Sequence, residues 1–446
     1  MLRFAPSPTG DMHIGNLRAA IFNYILAKQK NERFLLRIED TDFARNIEGK
    51  DKEICSLLTL FGLQWDSLVY QSENFNHHRQ FAEMLLKEGK AFYCYCSKEF
   101  LESKKQEAID AKKAFRYDDT WAELQKEEAI KNGKNPVVRL KGADKAICYT
   151  DNIKGKLEFL PNELDSFVIL REDFVPTYNF ACACDDMLYD ISYVVRGEDH
   201  TSNTPKQLLI HKALGYERGI EFAHLPIILN DSGKKMSKRD SASSVAWLLD
   251  EGFLPSAICN YLIAMGNHTP KEIFTLDEAI EWFDIKKIAK SPVRFDIAKL
   301  RFINHAHLSL LDEQKIALLL ESSKQYASQI GSLGKIYLEE ASTLNELREK
   351  INAILEPKDI HASYEEQDFS AQCKKLFDTL QNLAKNPPKE YDEFKKLAME
   401  GSNLKGKEFF KPLRILLTGA SHGPDISVIY PHLREILPYI LRVKSK

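Results

Sequence analysis

The chain has 446 residues, enough for two to four domains with sizeable cores. Its 44% hydrophobic and 28% charged residues are ordinary for a globular protein, and a net charge of −3 excludes a generic polyanion binder, so a nucleic-acid partner would be held by local basic patches. No run of 18 apolar residues is present, no leader-type segment precedes the first motif, and the eight cysteines are scattered, so the expectation is a cytoplasmic protein without a membrane span and with free thiols.

Leu2 and Phe4 alternate as a brief strand, and Pro6, Pro8 and Gly10 break regular structure after it. Leu17, Ala20, Ile21, Tyr24 and Ile25 then recur at helical spacing to about Lys28. A helix that starts after a strand and a glycine-containing loop presents free N–H groups and a positive dipole end to an anion. His13 adds a donor there, and Gly15 permits close approach to the backbone. Read alone, the same stretch also serves as a plain turn. Residues 33–38 form an apolar strand that ends in the acidic turn Glu39-Asp40-Thr41-Asp42, at the edge where open α/β sheets bind ligands. Ile54, Leu57, Leu58 and Phe61 mark a helix closed by Gly62, and Phe81, Met84 and Leu85 another before Gly89. This alternation predicts a parallel sheet over residues 1–93.

From residue 94 the pattern changes. Cys94 and Cys96 precede a polar helical run from Lys98 to Lys113, and short strands are predicted at 137–140, 146–149, 157–159 and 167–170. Two sulfurs make at most half a zinc site, and no second pair of ligands follows at a fitting distance. The run 176–186, of small and apolar residues, reads as a strand, and 190–195 as another. The second leads into Arg196-Gly197-Glu198-Asp199-His200, four ionisable groups at a strand's end. A helix follows from Thr204 to Leu214, closed by Gly215. After a strand at 225–229, the loop Asn230 to Gly233 runs into Lys234, Lys235, Met236, Ser237, Lys238 and Arg239. Flexible cations after a glycine turn suit a multiply charged anion such as a triphosphate, and a solvated basic loop has the same composition. Residues 243–303 read as helices, and 304 to the end as an all-helical region with a break at Pro387-Pro388.

In combination these motifs are specific. Residues 3–16, Arg-Phe-Ala-Pro-Ser-Pro-Thr-Gly-Asp-Met-His-Ile-Gly-Asn, resemble the HIGH-type signature of class I aminoacyl-tRNA synthetases of the bacterial glutamyl type. Residues 37–42, 176–180, 195–200 and 235–239 match that family in order, and Lys405 to Gly419 with Gly423-Pro424 resembles its C-terminal helical region. The resemblance implies a multidomain chain: an α/β Rossmann-type catalytic domain at 1–93 and 178–240, an α+β acceptor-end insertion at 94–177, a stem-contact helical domain at 241–303, and an all-α anticodon-binding region at 304–446.

The same resemblance implies a glutamate–tRNA ligase that uses ATP with Mg2+, L-glutamate and tRNA-Glu, tRNA-Gln or both, working as a monomer and activating glutamate once tRNA is bound. Catalysis would fall to His13, Gly15, Asn16, Lys235 and Lys238. ATP would lie against Pro6, Ser7, Pro8, His13, Gly15, Asp199, Ile228, Leu229, Lys235, Met236, Ser237, Lys238 and Arg239. Glutamate would lie against Arg3, Ala5, Ser7, Glu39, Tyr178 and Arg196. Two departures stand out. Asn16 takes the place of the signature's second histidine. Many bacterial members hold zinc with a Cys-x-Cys pair and a later Cys-x-His, whereas here the later positions are Trp121 and Glu123, so no zinc is expected. The alternatives are a nucleotidyltransferase, which needs neither the lysine loop nor the helical C-terminus, a truncated tRNA-modifying glutamyl transferase, which lacks the anticodon part, and a degenerate tRNA-binding homologue, which would have lost the lysines and His13.

Overall fold

The computed structural model describes residues 1–237, 240–321, 325–358 and 370–443. It divides into two compact units, Met1–Ala246 with Leu262–Phe295, and Trp247–Tyr261 with Asp296–Lys446. The stretch 241–303, expected to stand as one domain, is therefore shared between them.

In the first unit β1 (Leu2–Phe4), α1 (Ile14–Gln29), β2 (Phe34–Ile38), α2 (Lys50–Leu60) and α3 (Phe75–Lys87) fall where the sequence predicts them, with a strand not predicted there, β3 (Ser67–Tyr70), between the last two. Next come β4 (Ala91–Cys94), α4 (Lys98–Asp110), α5 (Lys126–Lys131), β5 (Val137–Leu140), β6 (Ile147–Asp151), β7 (Gly155–Phe159) and β8 (Phe167–Leu170). The chain then returns through α6 (Tyr178–Leu188), β9 (Tyr193–Gly197), α7 (Thr204–Ala213), β10 (Glu221–Leu225) and β11 (Ile228–Leu229). The main sheet has the order β3-β2-β1-β9-β10-β6-β7. Every pair in it is parallel except the β6–β7 hairpin. With β1 and β9 adjacent at the middle of the sheet, residues at the ends of β1, β2 and β9 converge although up to some 190 positions separate them in sequence.

Helix α1 packs on β1 and β9. It is buried on every side from Leu17 to Ala27, so its polar members need internal partners. Arg18 donates from Nε to the Leu262 carbonyl at 3.1 Å, and Asn23 donates to the carbonyls of Ala19 at 2.8 Å and Val195 at 2.9 Å.

Two expectations are corrected. Residues 176–186 were expected as a strand, yet Tyr178–Leu188 is a helix. Phe180, Ala181, Cys182, Ala183 and Cys184 are all buried, and a short apolar run buried all round has no period that separates strand from helix. The difference matters because four residues advance about 6 Å along a helix but about 13 Å along a strand. Tyr178, Cys182 and Asp186 are thereby stacked on successive turns. The second correction concerns residues 94–177. They were expected to form one insertion, but hairpin β6–β7 joins the edge of the catalytic sheet through β10. Only β5 and β8 of that stretch build the separate antiparallel sheet β4-β5-β8, which also takes β4 from the preceding stretch.

Two further helices, α8 (Val245–Asp250) and α9 (Pro255–Ala264), lie where the chain passes between units, and α10 (Leu276–Trp282) and β12 (Val293–Arg294) complete the first. Helix α10 packs against α1, and β12 pairs with β11. The described part of the second unit's C-terminal stretch is helical, with α11 (Ile297–Leu310), α12 (Glu313–Leu319), α13 (Ala327–Tyr337), α14 (Leu344–Leu355), α15 (Ser370–Leu383), α16 (Tyr391–Ser402), α17 (Lys407–Thr418), α18 (Ile426–Leu433) and α19 (Leu437–Ile440). Pro387 and Pro388 fall in the connection between α15 and α16, where a break is predicted. Among the described residues no helix is long and apolar enough to cross a membrane.

Candidate active site

Two adjoining cavities open at the C-terminal ends of β1, β2 and β9. The larger, of about 510 Å3, is lined by His13, Gly15, Asp199, Ile228, Lys235, Met236 and Ser237 among the expected ATP contacts, and by Asn16. The smaller, of about 260 Å3, is lined by Arg3, Ala5, Pro6, Ser7, Glu39, Tyr178 and Arg196. Every residue expected to meet glutamate therefore borders one cavity. Asn16, Gly197 and His200 border both. Asn16, whose role the sequence leaves open, stands at the junction. Pro8 and Leu229 line neither cavity: the Pro8 carbonyl accepts from the Ile47 amide at 2.9 Å, and the Leu229 carbonyl from Phe295 at 2.9 Å. Lys238 and Arg239 lie outside the described residues.

His13 is the N-cap of α1, and its Nδ1 accepts from the Gly15 amide at 3.0 Å. In the neutral ring this leaves Nε2 as the N–H donor. Gly15 thus gives its amide to His13. A Cβ at position 15 would stand 3.3 Å from His13 Nδ1, so the glycine makes room for the cap. Across the larger cavity Lys235 donates to Asp199 Oδ2 at 3.3 Å, both side chains being more than half exposed. Burial would raise the Asp199 carboxyl, but His200 and Lys235 hold it below its ordinary value. The loop carrying Lys235 folds back on β11, with the Met236 amide donating to the Ile228 carbonyl at 2.8 Å. Asp240 binds its far end, accepting from Ser237 N at 2.8 Å and from Asn230 Nδ2 at 3.0 Å.

Charge in the smaller cavity is fixed from behind. Asp186 accepts from Arg3 Nε at 3.2 Å, Arg3 Nη2 at 3.4 Å and Arg37 Nη1 at 2.7 Å. Arg37 in turn donates to Glu39 at 3.0 Å. Burial alone would push the Asp186 carboxyl up; the two guanidinium groups hold it far below the carboxylate range instead. Burial raises Glu39, against the pull of Arg37 and Arg3. Arg3 therefore lines the cavity with its charge already committed to Asp186. Arg37 and Asp186 were missed by the sequence reading; two arginines emerging on adjacent parallel strands, two residues short of an acidic turn, were the available signal.

Arg196 is held differently. Its Nε donates to His224 at 3.2 Å and its Nη2 to Thr204 Oγ1 at 2.7 Å, while buried Nη1 has no partner among the described residues. Tyr178 Oη lies 3.1 Å from His200 Nδ1. Burial, helped by Arg196, lowers His200 to about 4, so the ring is neutral near pH 7. Cys94 and Cys96 sit elsewhere, around the Tyr117 hydroxyl at 3.1 and 3.8 Å, with the Arg139 guanidinium 3.7 Å above the Tyr117 ring. Protein groups occupy the surroundings of both sulfurs, and no cluster of three His, Cys, Asp or Glu suited to a metal is present among the described residues.

Known proteins share this architecture and these motifs. Residues 1–302 match the family described as tRNA synthetases class I (E and Q), catalytic domain, and residues 299–433 match an anticodon binding domain. The chain is 63% identical over 448 residues to the Glutamate--tRNA ligase 2 of Helicobacter hepaticus, which it covers completely, as it does the 59% identical counterpart of Wolinella succinogenes. A crystal structure of a glutamate tRNA ligase from Elizabethkingia meningosepticum in complex with its amino acid superposes with a TM-score of 0.80 at 27% identity, covering 98% of this chain and 97% of that one. The fold and its motifs are thus those of a class I aminoacyl-tRNA synthetase with a helical anticodon-binding region. Within that class the chain belongs to the glutamate–tRNA ligase family.

Proposed function

We propose that the chain joins L-glutamate to tRNA, activating glutamate in the smaller cavity with ATP held in the larger. One observation carries the assignment of substrates to cavities. The smaller space is bordered by two guanidinium groups and one carboxylate, Arg3, Arg196 and Glu39. L-glutamate offers a carboxylate to Arg196, which has no ionic partner among the described residues, and an ammonium to Glu39, while Arg3, paired with Asp186, borders the same space. The larger space has a helix N-terminus, the His13 Nε2 donor and Lys235, which suit phosphates.

In the first step a carboxylate oxygen of glutamate attacks the α-phosphorus of MgATP. The new O–P bond forms as the bond to the bridging oxygen breaks, and pyrophosphate leaves. In the second, a hydroxyl of the tRNA's terminal ribose attacks the activated carbonyl and AMP leaves. No protein nucleophile is needed, so catalysis is positioning and charge stabilisation. His13 and Lys235, joined by Lys238 from the family motif, neutralise charge that grows on the phosphates. Glu39 takes the ammonium, Arg196 a carboxylate, and Tyr178 closes the pocket. A buried arginine that needs an anionic partner rejects the neutral amide of glutamine, the kind of polar discrimination that reaches about 10⁴–10⁵.

The substrate tRNA is tRNA-Glu, tRNA-Gln or both; one relative, 57% identical in Helicobacter pylori, is named GlutamylGlutaminyl-tRNA synthetase. The protein works in the cytoplasm as a monomer. Aminoacylation of purified tRNA-Glu and tRNA-Gln side by side, with glutamate and glutamine as competing amino acids, tests this reading. Esterified glutamate supports it. Esterified glutamine, or activity on neither tRNA, refutes it.

A further inference from the structure

Arg196 reaches its cavity from β9, and the next two strands of the sheet are β10 and β6. The parallel register sets His224 of β10 directly opposite Arg196. Phe222, two residues earlier on β10, pairs with Asp151 at the end of β6. These registers bring Asp151, His224 and Arg196 into one row across three strands.

The hydrogen bonds along the row have a direction. Asp151 Oδ1 accepts from the Ile153 and Lys154 amides at 2.9 and 2.8 Å, and Oδ2 accepts from the His224 amide at 3.1 Å and His224 Nδ1 at 2.6 Å. Four donors converge on one buried carboxylate. Burial opposes its charge, but these contacts hold it below its ordinary value. An ionised carboxylate is acceptor-only, so Nδ1 of His224 carries the proton. The opposite nitrogen, Nε2, is then an acceptor, and Arg196 Nε donates to it at 3.2 Å. Thr204 Oγ1 lies 3.1 Å from the same nitrogen and accepts from Arg196 Nη2 at 2.7 Å. Two of the three guanidinium nitrogens are thereby bound to neutral acceptors. Arg3 and Arg37 share Asp186, and Arg37 also holds Glu39, so two carboxylates balance the two guanidinium groups, whereas Arg196 has no ionic partner and an open Nη1 among the described residues.

We propose that Asp151 and His224 are positioning residues for glutamate recognition. Asp151 fixes the tautomer of His224, and the acceptor this creates aims the Arg196 guanidinium, uncompensated, at a substrate carboxylate. This rests on the assignment of Arg196 to glutamate made above. It also gives hairpin β6–β7 a reason to join the catalytic sheet, since the hairpin delivers Asp151. Protonation of His224 removes the acceptor and sets a second positive charge against Arg196. The groups facing the ring are Asp151 and Tyr149 on β6, Lys154 in the hairpin turn, Arg196 on β9, and Thr204 at the start of α7. Asp151 alone among them favours the charged ring; burial, Arg196 and Lys154 disfavour it.

The test is tRNA-dependent pyrophosphate exchange by the full chain, with KM measured separately for glutamate and ATP. His224→Phe keeps a ring and loses the acceptor. It should raise the glutamate KM on the order of 10-fold, the loss of about one oriented hydrogen bond, with the ATP KM within about two-fold. His224→Gln, which restores an acceptor near the Nε2 position, should recover most of that. In the wild type the glutamate KM should rise as pH falls below the ordinary histidine range, and His224→Gln should lose that limb. Arg196→Gln separates the two claims. If it raises the glutamate KM but His224→Phe does not, the relay is wrong and the substrate assignment stands. If Arg196→Gln leaves the glutamate KM unchanged, both fall. Should His224→Phe fail to fold, the wild-type pH profile decides alone: parallel changes in both KM values, or a glutamate KM that stays flat down to the pH at which the fold is lost, overturn the relay.

Discussion

Replacing Asp186 by Asn is the most direct probe of the buried charge cluster behind the smaller cavity. Asp186 is about 4% exposed and is shared as an ionic partner by Arg3 and Arg37. Removing one partner of a buried pair costs about 3–5 kcal/mol, because the remaining charge stays buried and uncompensated. Arg37 keeps Glu39 at 3.0 Å, which places the loss near the lower end, about 3 kcal/mol. For a unit of this size that lowers the melting temperature by about 6 °C. The assay is scanning calorimetry of the full chain, following the transition that moves upward when ATP and glutamate are added. The pH dependence has a definite sign. The folded-state pKa of Asp186 lies below the unfolded value, so its stabilisation is complete above about pH 4 and is lost only as pH falls through the folded value. The gap between wild type and variant should therefore be constant from pH 5 to 8. A double-mutant cycle with Arg3→Leu should show coupling of about 1–3 kcal/mol. A shift under about 1 °C, or a gap that closes between pH 5 and 7, would refute the reasoning.

Lys235→Ala should slow glutamate activation on the order of 10²-fold while the melting temperature stays within about 1 °C, since its pair with Asp199 is exposed and worth under about 1 kcal/mol; an unchanged exchange rate removes Lys235 from the mechanism. Lys238→Ala should behave likewise on the strength of its motif. Elemental analysis of the purified protein should find no stoichiometric zinc, and one bound zinc per chain would overturn the reading of Cys94 and Cys96. In the second unit, Gly419 closes α17 at φ +72°, and a Cβ there would stand 2.3 Å from the Ala353 carbonyl. Gly419→Ala should lower that unit's stability by about 2 kcal/mol or more by urea denaturation, and a neutral result would mean the turn is not held against α14 as described.

What was legible in the sequence follows from the kind of signal each element carries. β1, α1, β2, α2 and α3 were readable because their apolar residues recur with a period, helped at α2 and α3 by the glycine stops Gly62 and Gly89 at φ +73° and +64°, whereas β3 went unread. Helix α6 was misread because its apolar run is short as well as buried all round; α1, equally buried, runs for 16 residues and keeps a readable helical spacing. The β6–β7 strands were found, but their partner was not, since strand pairing across some 70 residues leaves no local trace. The same limit applies in the site. His13 and Lys235 announce themselves by motif and by a charged loop. Asp186 and His224 act only through side chains that the fold brings to them, from 149 residues away in the bond between Arg37 and Asp186 and 73 in that between Asp151 and His224.

The two halves of the site are built on opposite principles, and the chemistry explains why. On the nucleotide side the loop cation is exposed; Lys235 is more than half exposed and pairs with Asp199. A triphosphate has no neutral look-alike to exclude, and charge on a long side chain can follow the phosphates as they separate. On the amino-acid side every ionic group is buried, and each is oriented by a partner that is itself held. Glutamate must be told from glutamine, which differs by one charge at equal size. A mobile, hydrated lysine would accept either, because water could replace the missing carboxylate oxygen at little cost. A desolvated arginine cannot make that exchange, so the wrong ligand leaves it unpaired at the full penalty. Preorganising such a charge costs stability, which the carboxylates of Asp186 and Asp151 offset from outside the cavity. Weakening either one should therefore cost selectivity against glutamine before it costs the rate of the phosphoryl step.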